Sequence, residues 1–237
     1  YLELRLKYTE NSKLGILAIA NFLIKKHHFI TLAGRKADEI YVYCDGIYTD
    51  EDVGKIIKKE SQAILMEKFS AFNVRAITEQ ISAMTYFDGT REGFGVIDKE
   101  GNSFVHLICV KNGILNLITK ELIPHNPDYI FLSKMPLEYN PDADCPKIKE
   151  FIQSVFSEED IPVIQEWIGY ILYRKYIFKK ALILLGDKDS GKTTFIELLK
   201  IFIGIRNHCA LSLQEICHNS FAIKNLYGRF LNSCDDL

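Results

Sequence analysis

The stretch that most restricts the fold of this chain is residues 181–193. Ala181-Leu-Ile-Leu-Leu is a continuous apolar run of strand length, and Gly186-Asp187-Lys188-Asp189-Ser190-Gly191-Lys192-Thr193 follows it directly. The second segment satisfies GxxxxGK[ST] at every fixed position. The apolar run reads as a parallel strand buried on both faces. Thr194, Ile196, Leu198, Leu199 and Phe202 then carry a helix, and Gly204 is a natural stop for it. Glycines let the loop backbone curl so that successive N–H groups point inward around a phosphate. The helix begun at Lys192-Thr193 points its positive end at the same anion. On this reading Gly186, Asp187, Lys188, Asp189, Ser190, Gly191, Lys192, Thr193 and Thr194 bind ATP. Lys192 reaches the β- and γ-phosphates, and the Thr193 hydroxyl ligates Mg2+. Asp187, Lys188 and Asp189 stand at the variable positions, where they tune the loop.

Such a loop needs a partner acid for the metal. Asp235-Asp236 ends the apolar-rich run Phe230-Leu-Asn-Ser-Cys, with room upstream for a helix, one more strand and a connector. Asp235 reads as the metal-side carboxylate and Asp236 as the base that polarises an attacking water. The plain alternative is a solvated acidic turn.

The first part of the chain has a different texture. Residues 12–28 suit a helix. Glu39 to Thr49 reads as a β-hairpin, with Asp45-Gly46 supplying the positive φ values of a type I′ turn. Asp50 to Phe69 follows as a helix on the spacing of Val53, Ile56, Ile57, Ala63 and Ile64. Asn73 is the expected N-cap of a second helix, with Ile77, Ile81 and Met84 inside. Phe104–Val110 and Ile114–Ile118 read as strands joined through Lys111-Asn112-Gly113. Prolines 124, 127, 136, 141 and 146 exclude a regular helix or central strand and mark a connector. Beyond it Ser157 and Asp160 resemble a capping box ahead of a helix with Ile161, Ile164, Trp167, Ile168, Ile171 and Leu172 on its apolar face. The expectation is an α+β module over residues 1–145, then a helical segment and a partial α/β P-loop domain over 146–237.

With these residues in view, the chain resembles the superfamily 3 helicase part of phage, plasmid and large-DNA-virus primase-helicases. The resemblance rests on the P-loop and on five further segments: Ile40–Tyr48, Lys111–Leu115, Pro124–Tyr129, Tyr139–Pro146 and Glu166–Tyr170. It spans roughly residues 40–237. It implies a modified AAA+ fold and an ATP-driven homo-oligomer, a hexamer, that translocates on single-stranded DNA at a replication fork. A primase domain or partner is part of that implication. It carries over Gly186, Gly191, Lys192 and Thr193 as the Walker A set, and Asp235 and Asp236 as the Walker B pair. Many relatives have Glu at the second place of that pair. Nothing matches the later sensor residue, the DNA-binding hairpin or the arginine finger. The start at Tyr1 and the abrupt end at Leu237 read as a piece cut from a longer chain, with weak ATP binding at best and no unwinding.

Composition bounds these readings. Of 237 residues, 48% are hydrophobic and 25% charged, which excludes a disordered tail or a fibre. The net charge of −2 excludes nucleic-acid binding by bulk charge, so any DNA contact must be local. Candidate patches are Lys25-Lys26-His27-His28, Lys55 with Lys58 and Lys59, and Arg174-Lys175 with Lys179-Lys180; a solvated helix face is the plainer reading of each. Tyr41, Tyr43 and Tyr48 could stack bases, although cross-strand packing is commoner. Six cysteines without a CxxC read as reduced thiols of a cytoplasmic protein. The longest apolar run, residues 16–24, falls short of the ~20 needed to span a bilayer, and no signal peptide is evident. His208-Cys209 and Cys217-His218 invite zinc, yet adjacent ligands rarely converge on one tetrahedron, so packing is preferred.

Two other functional classes compete with the motor. One is a non-catalytic module for binding DNA or primase, or for oligomerisation. The other is a small-molecule kinase with a P-loop, disfavoured because about 180 residues precede the loop.

Overall fold

A computed structural model describes residues 1–32, 39–87, 97–175, 177–219, 221–226 and 228–234. The chain packs as two units, Tyr1–Thr90 and Arg91–Leu237. The expected boundary at 145/146 falls inside the second.

In the first unit, α1 (Leu2–Glu10) precedes α2 (Ser12–His27), β1 (Phe29–Leu32), β2 (Glu39–Cys44), β3 (Ile47–Thr49), α3 (Val53–Leu65), α4 (Ala71–Met84) and β4 (Tyr86–Phe87). The strands form one sheet in the order β3-β2-β1-β4. β1 and β2 are antiparallel, as are β2 and β3, whereas β4 runs parallel to β1. Asp45 and Gly46 have φ of 50° and 89°, as the expected type I′ turn requires. Ile19, Leu23, Phe29, Val42, Ile57, Ile64, Ile77 and Ile81 close a core between the helices and one sheet face.

Three details depart from the sequence expectation. The N-cap of α4 is Ser70, whose Oγ accepts from the Asn73 N–H; Asn73 lies a turn inside and donates Nδ2 to the Lys68 carbonyl at 2.9 Å. Both residues can cap, but Ser70 has the extended backbone a cap needs. Met84 is exposed, because it lies near the helix end, beyond Ile77 and Ile81. On α3 the buried position is Ser61 rather than Ala63. Ser61 lies four residues from Ile57, on the same helix face.

The second unit begins with short β pairings. β5 (Ile97–Asp98) pairs antiparallel with β9 (Tyr129–Ile130). β6 (Leu107–Val110), β7 (Gly113–Asn116) and β8 (Leu122–Ile123) form an antiparallel meander. The proline-studded stretch is woven into this unit: Ile130, Phe131, Ser133 and Met135 are buried, and the Met135 N–H donates to the Cys109 carbonyl at 2.9 Å. Three helices follow, α5 (Pro146–Val155), α6 (Ile161–Leu172) and α7 (Lys192–Ile203). The capping box expected of Ser157 and Asp160 does not form: α6 has Asp160 as its N-cap, without a side-chain cap. Ser157 Oγ instead donates to Asp160 Oδ2 at 2.7 Å and accepts from the Asp160 N–H at 3.3 Å, one turn ahead of the helix. The unit ends with β10 (His208–Cys209), α8 (Leu213–His218) and β11 (Leu231–Asn232), β10 and β11 being parallel. Ile152, Ile164, Ile171, Phe195, Leu199 and Ile203 form the core around α7.

Candidate nucleotide-binding site

The run at 181–185 does not form the strand the sequence suggests. It has no regular secondary structure, and no described strand pairs with it. Its side chains alternate: Leu182 and Leu184 pack on the α7 core, while Ile183 and Leu185 are 57% and 88% exposed. Burial on both faces requires layers on both sides, and the helices of this unit cover one. The run still delivers the chain to the loop beside α7.

Lys188 and Asp189 make a turn, with Asp189 at φ 63° and Gly191 at φ 87°. The Lys192 ammonium folds back over this turn. Its Nζ donates to the Gly186 carbonyl at 2.8 Å, the Asp187 carbonyl at 2.6 Å and Ser190 Oγ at 3.0 Å. A Cβ on Gly186 would stand 3.0 Å from Ser190 Oγ and 3.9 Å from Lys192 Nζ. A Cβ on Gly191 would stand 2.7 Å from Val155 Cγ2. The glycine therefore lets the loop close onto the end of α5.

α7 starts immediately after Gly191, with no side-chain cap and no acidic residue in its first turn. Its first N–H groups and its dipole are thus available to an anion. Thr193 and Thr194 are exposed on that turn. Asp187, Lys188, Asp189 and Ser190 are exposed on the loop. Phe195, Leu199 and Ile203 bury the opposite side of the helix, and Gly204 ends it at φ 89°. An ammonium drawn over the loop and an uncapped helix start are groups that attract an anion such as phosphate.

Asp235 and Asp236 lie outside the described residues. The run that leads to them is described. The Phe230 N–H donates to the Asn207 carbonyl at 2.8 Å, and the Ser233 N–H to the Cys209 carbonyl at 3.0 Å, extending the β10–β11 ladder. His208 Nε2 and Ser233 Oγ are 2.8 Å apart. Burial holds the His208 ring below its ordinary value, the charge of Lys200 adding to the effect and Glu197 opposing it. Among the described residues no three His, Cys, Asp or Glu side chains are grouped to hold a metal. No described cysteine is disulfide-bonded.

The other candidates are mostly absorbed by packing. Lys26 Nζ and His27 Nε2 lie 2.6 and 3.2 Å from Glu60 Oε1, and Tyr1 OH donates to Glu60 Oε2 at 2.6 Å. Lys55 pairs with Asp52. Tyr48 is 1% exposed and packs edge-on against Tyr43, so its ring is closed to a base. Arg174 turns inward instead of lining a solvated face. Its Nη1 donates to Ser133 Oγ at 2.7 Å, its guanidinium lies 4.3 Å from the Phe230 ring centre, and burial pushes its pKa down to about 10. Val155 beside Gly191, and Arg174 on Ser133 and Phe230, are contacts between residues far apart in the chain, which no local motif announces. No helix among the described residues is long and apolar enough to cross a membrane.

Two comparisons bear on this arrangement. The chain is 24% identical over 124 residues to "Uncharacterized mitochondrial protein ymf21" of Marchantia polymorpha, covering 46% of this chain and 69% of that protein. The family described as "D5 N terminal like" matches residues 16–157, more than half of the chain. The chain therefore belongs to the D5 N terminal like family.

Proposed function

We propose that this chain is part of a replication NTPase of the superfamily 3 primase-helicase type, which hydrolyses ATP to translocate on single-stranded DNA. The observation that carries the reading is the loop 186–193, where Lys192 Nζ is drawn over the loop carbonyls at the uncapped start of α7. Membership of the D5 N terminal like family supports the replication context. In this reading Lys192 would hold phosphate charge, the loop N–H groups would orient it, and Thr193 with Asp235 would hold Mg2+. Magnesium there would supply neutralisation of the phosphate oxygens. Asp236 would serve as the base that orients water. The test is binding of a fluorescent ATP analogue to wild type and Lys192→Ala. The variant is expected to bind at least about tenfold more weakly, since a charge-assisted contact is worth ~1.5–3 kcal/mol. Equal affinity in both proteins would refute the site.

A second reading is a DNA- or primase-binding, or oligomerisation, module without catalysis. One observation favours it: the family match ends at residue 157, before the loop begins. Titration of the chain with single-stranded DNA at two salt concentrations separates the readings. On the second, Lys192→Ala leaves both the affinity and its salt slope intact.

A further inference from the structure

We infer that Val155 is a positioning residue for the phosphate loop, an inference that rests on the nucleotide reading above. Helix α5 ends at Val155, and Phe156 is its C-cap, with extended backbone at φ −114° and ψ 148°. These two consecutive side chains both reach the first turn of α7. Gly191 stands against the Val155 isopropyl group, so that an added Cβ would lie 2.7 Å from Cγ2, 3.2 Å from Cγ1 and 3.6 Å from Cβ. The Phe156 ring meets the fully buried Phe195 ring edge-on, with centres 5.0 Å apart and planes at 77°. Gly191 and Phe195 are themselves joined by the first hydrogen bond of α7, the Phe195 N–H donating to the Gly191 carbonyl at 2.9 Å. The end of α5 therefore grips that turn at both of its ends.

The gripped turn carries Lys192, Thr193 and Thr194, and it starts without a side-chain cap. Gly191 has φ 87°, and a glycine has wide backbone freedom unless its surroundings restrict it. Val155 supplies the restriction. Its branched side chain is stiff at χ1 on a helix, so its two methyl groups form a fixed wall behind the glycine. A loop already held in one geometry spends less of its binding free energy on ordering itself around phosphate. Val155 thus acts on nucleotide affinity through Gly191. Val155 and Phe156 lie among the last three residues of the family-matched region, and the loop lies beyond it, so this contact joins the two.

The test separates loop positioning from general stability. The full chain and its variants Val155→Ala, Val155→Thr, Gly191→Ala, Val155→Ala with Gly191→Ala, Ile203→Val and Lys192→Ala are titrated with a fluorescent ATP analogue below their melting temperatures, which are recorded. Val155→Ala removes the wall and is expected to weaken binding about fivefold, the scale of ordering the backbone of one residue. Val155→Thr keeps the branched shape and is expected to stay within about twofold of wild type. Gly191→Ala is expected to weaken binding at least about tenfold, and adding Val155→Ala to regain at least about threefold, since the lost methyl groups make room for the new one. Ile203→Val trims the core at the far end of α7, and is expected to lower the melting temperature while affinity stays within about twofold. If Gly191→Ala fails to fold, Val155→Ala against Val155→Thr and Ile203→Val carries the comparison. Wild-type affinity in folded Val155→Ala, a double variant no tighter than Gly191→Ala, or an equal loss in Ile203→Val overturns the inference alone. A wild type that binds no analogue, or a Lys192→Ala variant with wild-type affinity, removes the nucleotide reading and this inference with it.

Discussion

At the scale of single residues, the loop's turn and the Lys192 beside it were legible because they are local. Gly186, Gly191, Lys192 and Thr193 lie within eight positions, and the roles proposed for them follow from backbone freedom, charge and a hydroxyl. Their surroundings were not legible. Gly191 has φ 87°, and an added Cβ would strike Val155, which lies 36 residues upstream. Gly191→Ala is expected to cost about 3 kcal/mol, combining a left-handed backbone with overpacking. Denaturant unfolding checks this, and a cost below about 1 kcal/mol would remove the close approach. Glu60 offers a pH test. Burial opposes its charge, but hydrogen bonds from Lys26, Tyr1 and His27 outweigh it and lower its pKa from 4.5 to about 2. A folded value below the ordinary one means that the stability Glu60 contributes is present above pH 4.5 and lost as pH falls towards 2. The stability difference between wild type and Glu60→Gln should therefore shrink across that window. A constant difference would show that the cluster contributes no charge-dependent stability.

At the scale of elements, α2, the β2–β3 hairpin, α6 and α7 follow the apolar spacing and turn chemistry of their own residues. The 181–185 run does not, because a continuous apolar run states that a segment is apolar and leaves open how many of its faces are covered. Leu184 packs on the α7 core and Leu185 does not. Leu184→Ala is expected to cost about 2 kcal/mol and Leu185→Ala less than about 0.5 kcal/mol. Equal costs would place both faces of the run in packing. The cap of α4 is Ser70, three residues ahead of the expected Asn73. Ser70→Ala should cost about 1 kcal/mol, read as a shift in the denaturant midpoint. No shift would return the capping role to another group.

At the scale of the whole molecule, the sequence family and the packing divide the chain differently. The family match runs from 16 to 157, whereas the chain packs as Tyr1–Thr90 and Arg91–Leu237. The core of the first unit is drawn from residues 19–81, all within it. A fragment of residues 1–90 should therefore unfold in one cooperative transition by circular dichroism. A non-cooperative melt would show that this core needs the second unit. The mixed α+β character, the main helices, both hairpins and the glycine-rich loop were determined by the sequence itself, since each depends on residues within a few turns of one another. Tertiary structure alone decided that the proline-studded stretch is buried, that 181–185 shows one face to solvent, and that Arg174 leaves the surface to stack on Phe230. Each of these turns on residues about 25 to 60 positions apart or on which layers cover a segment, and neither spacing nor composition encodes which distant partner arrives.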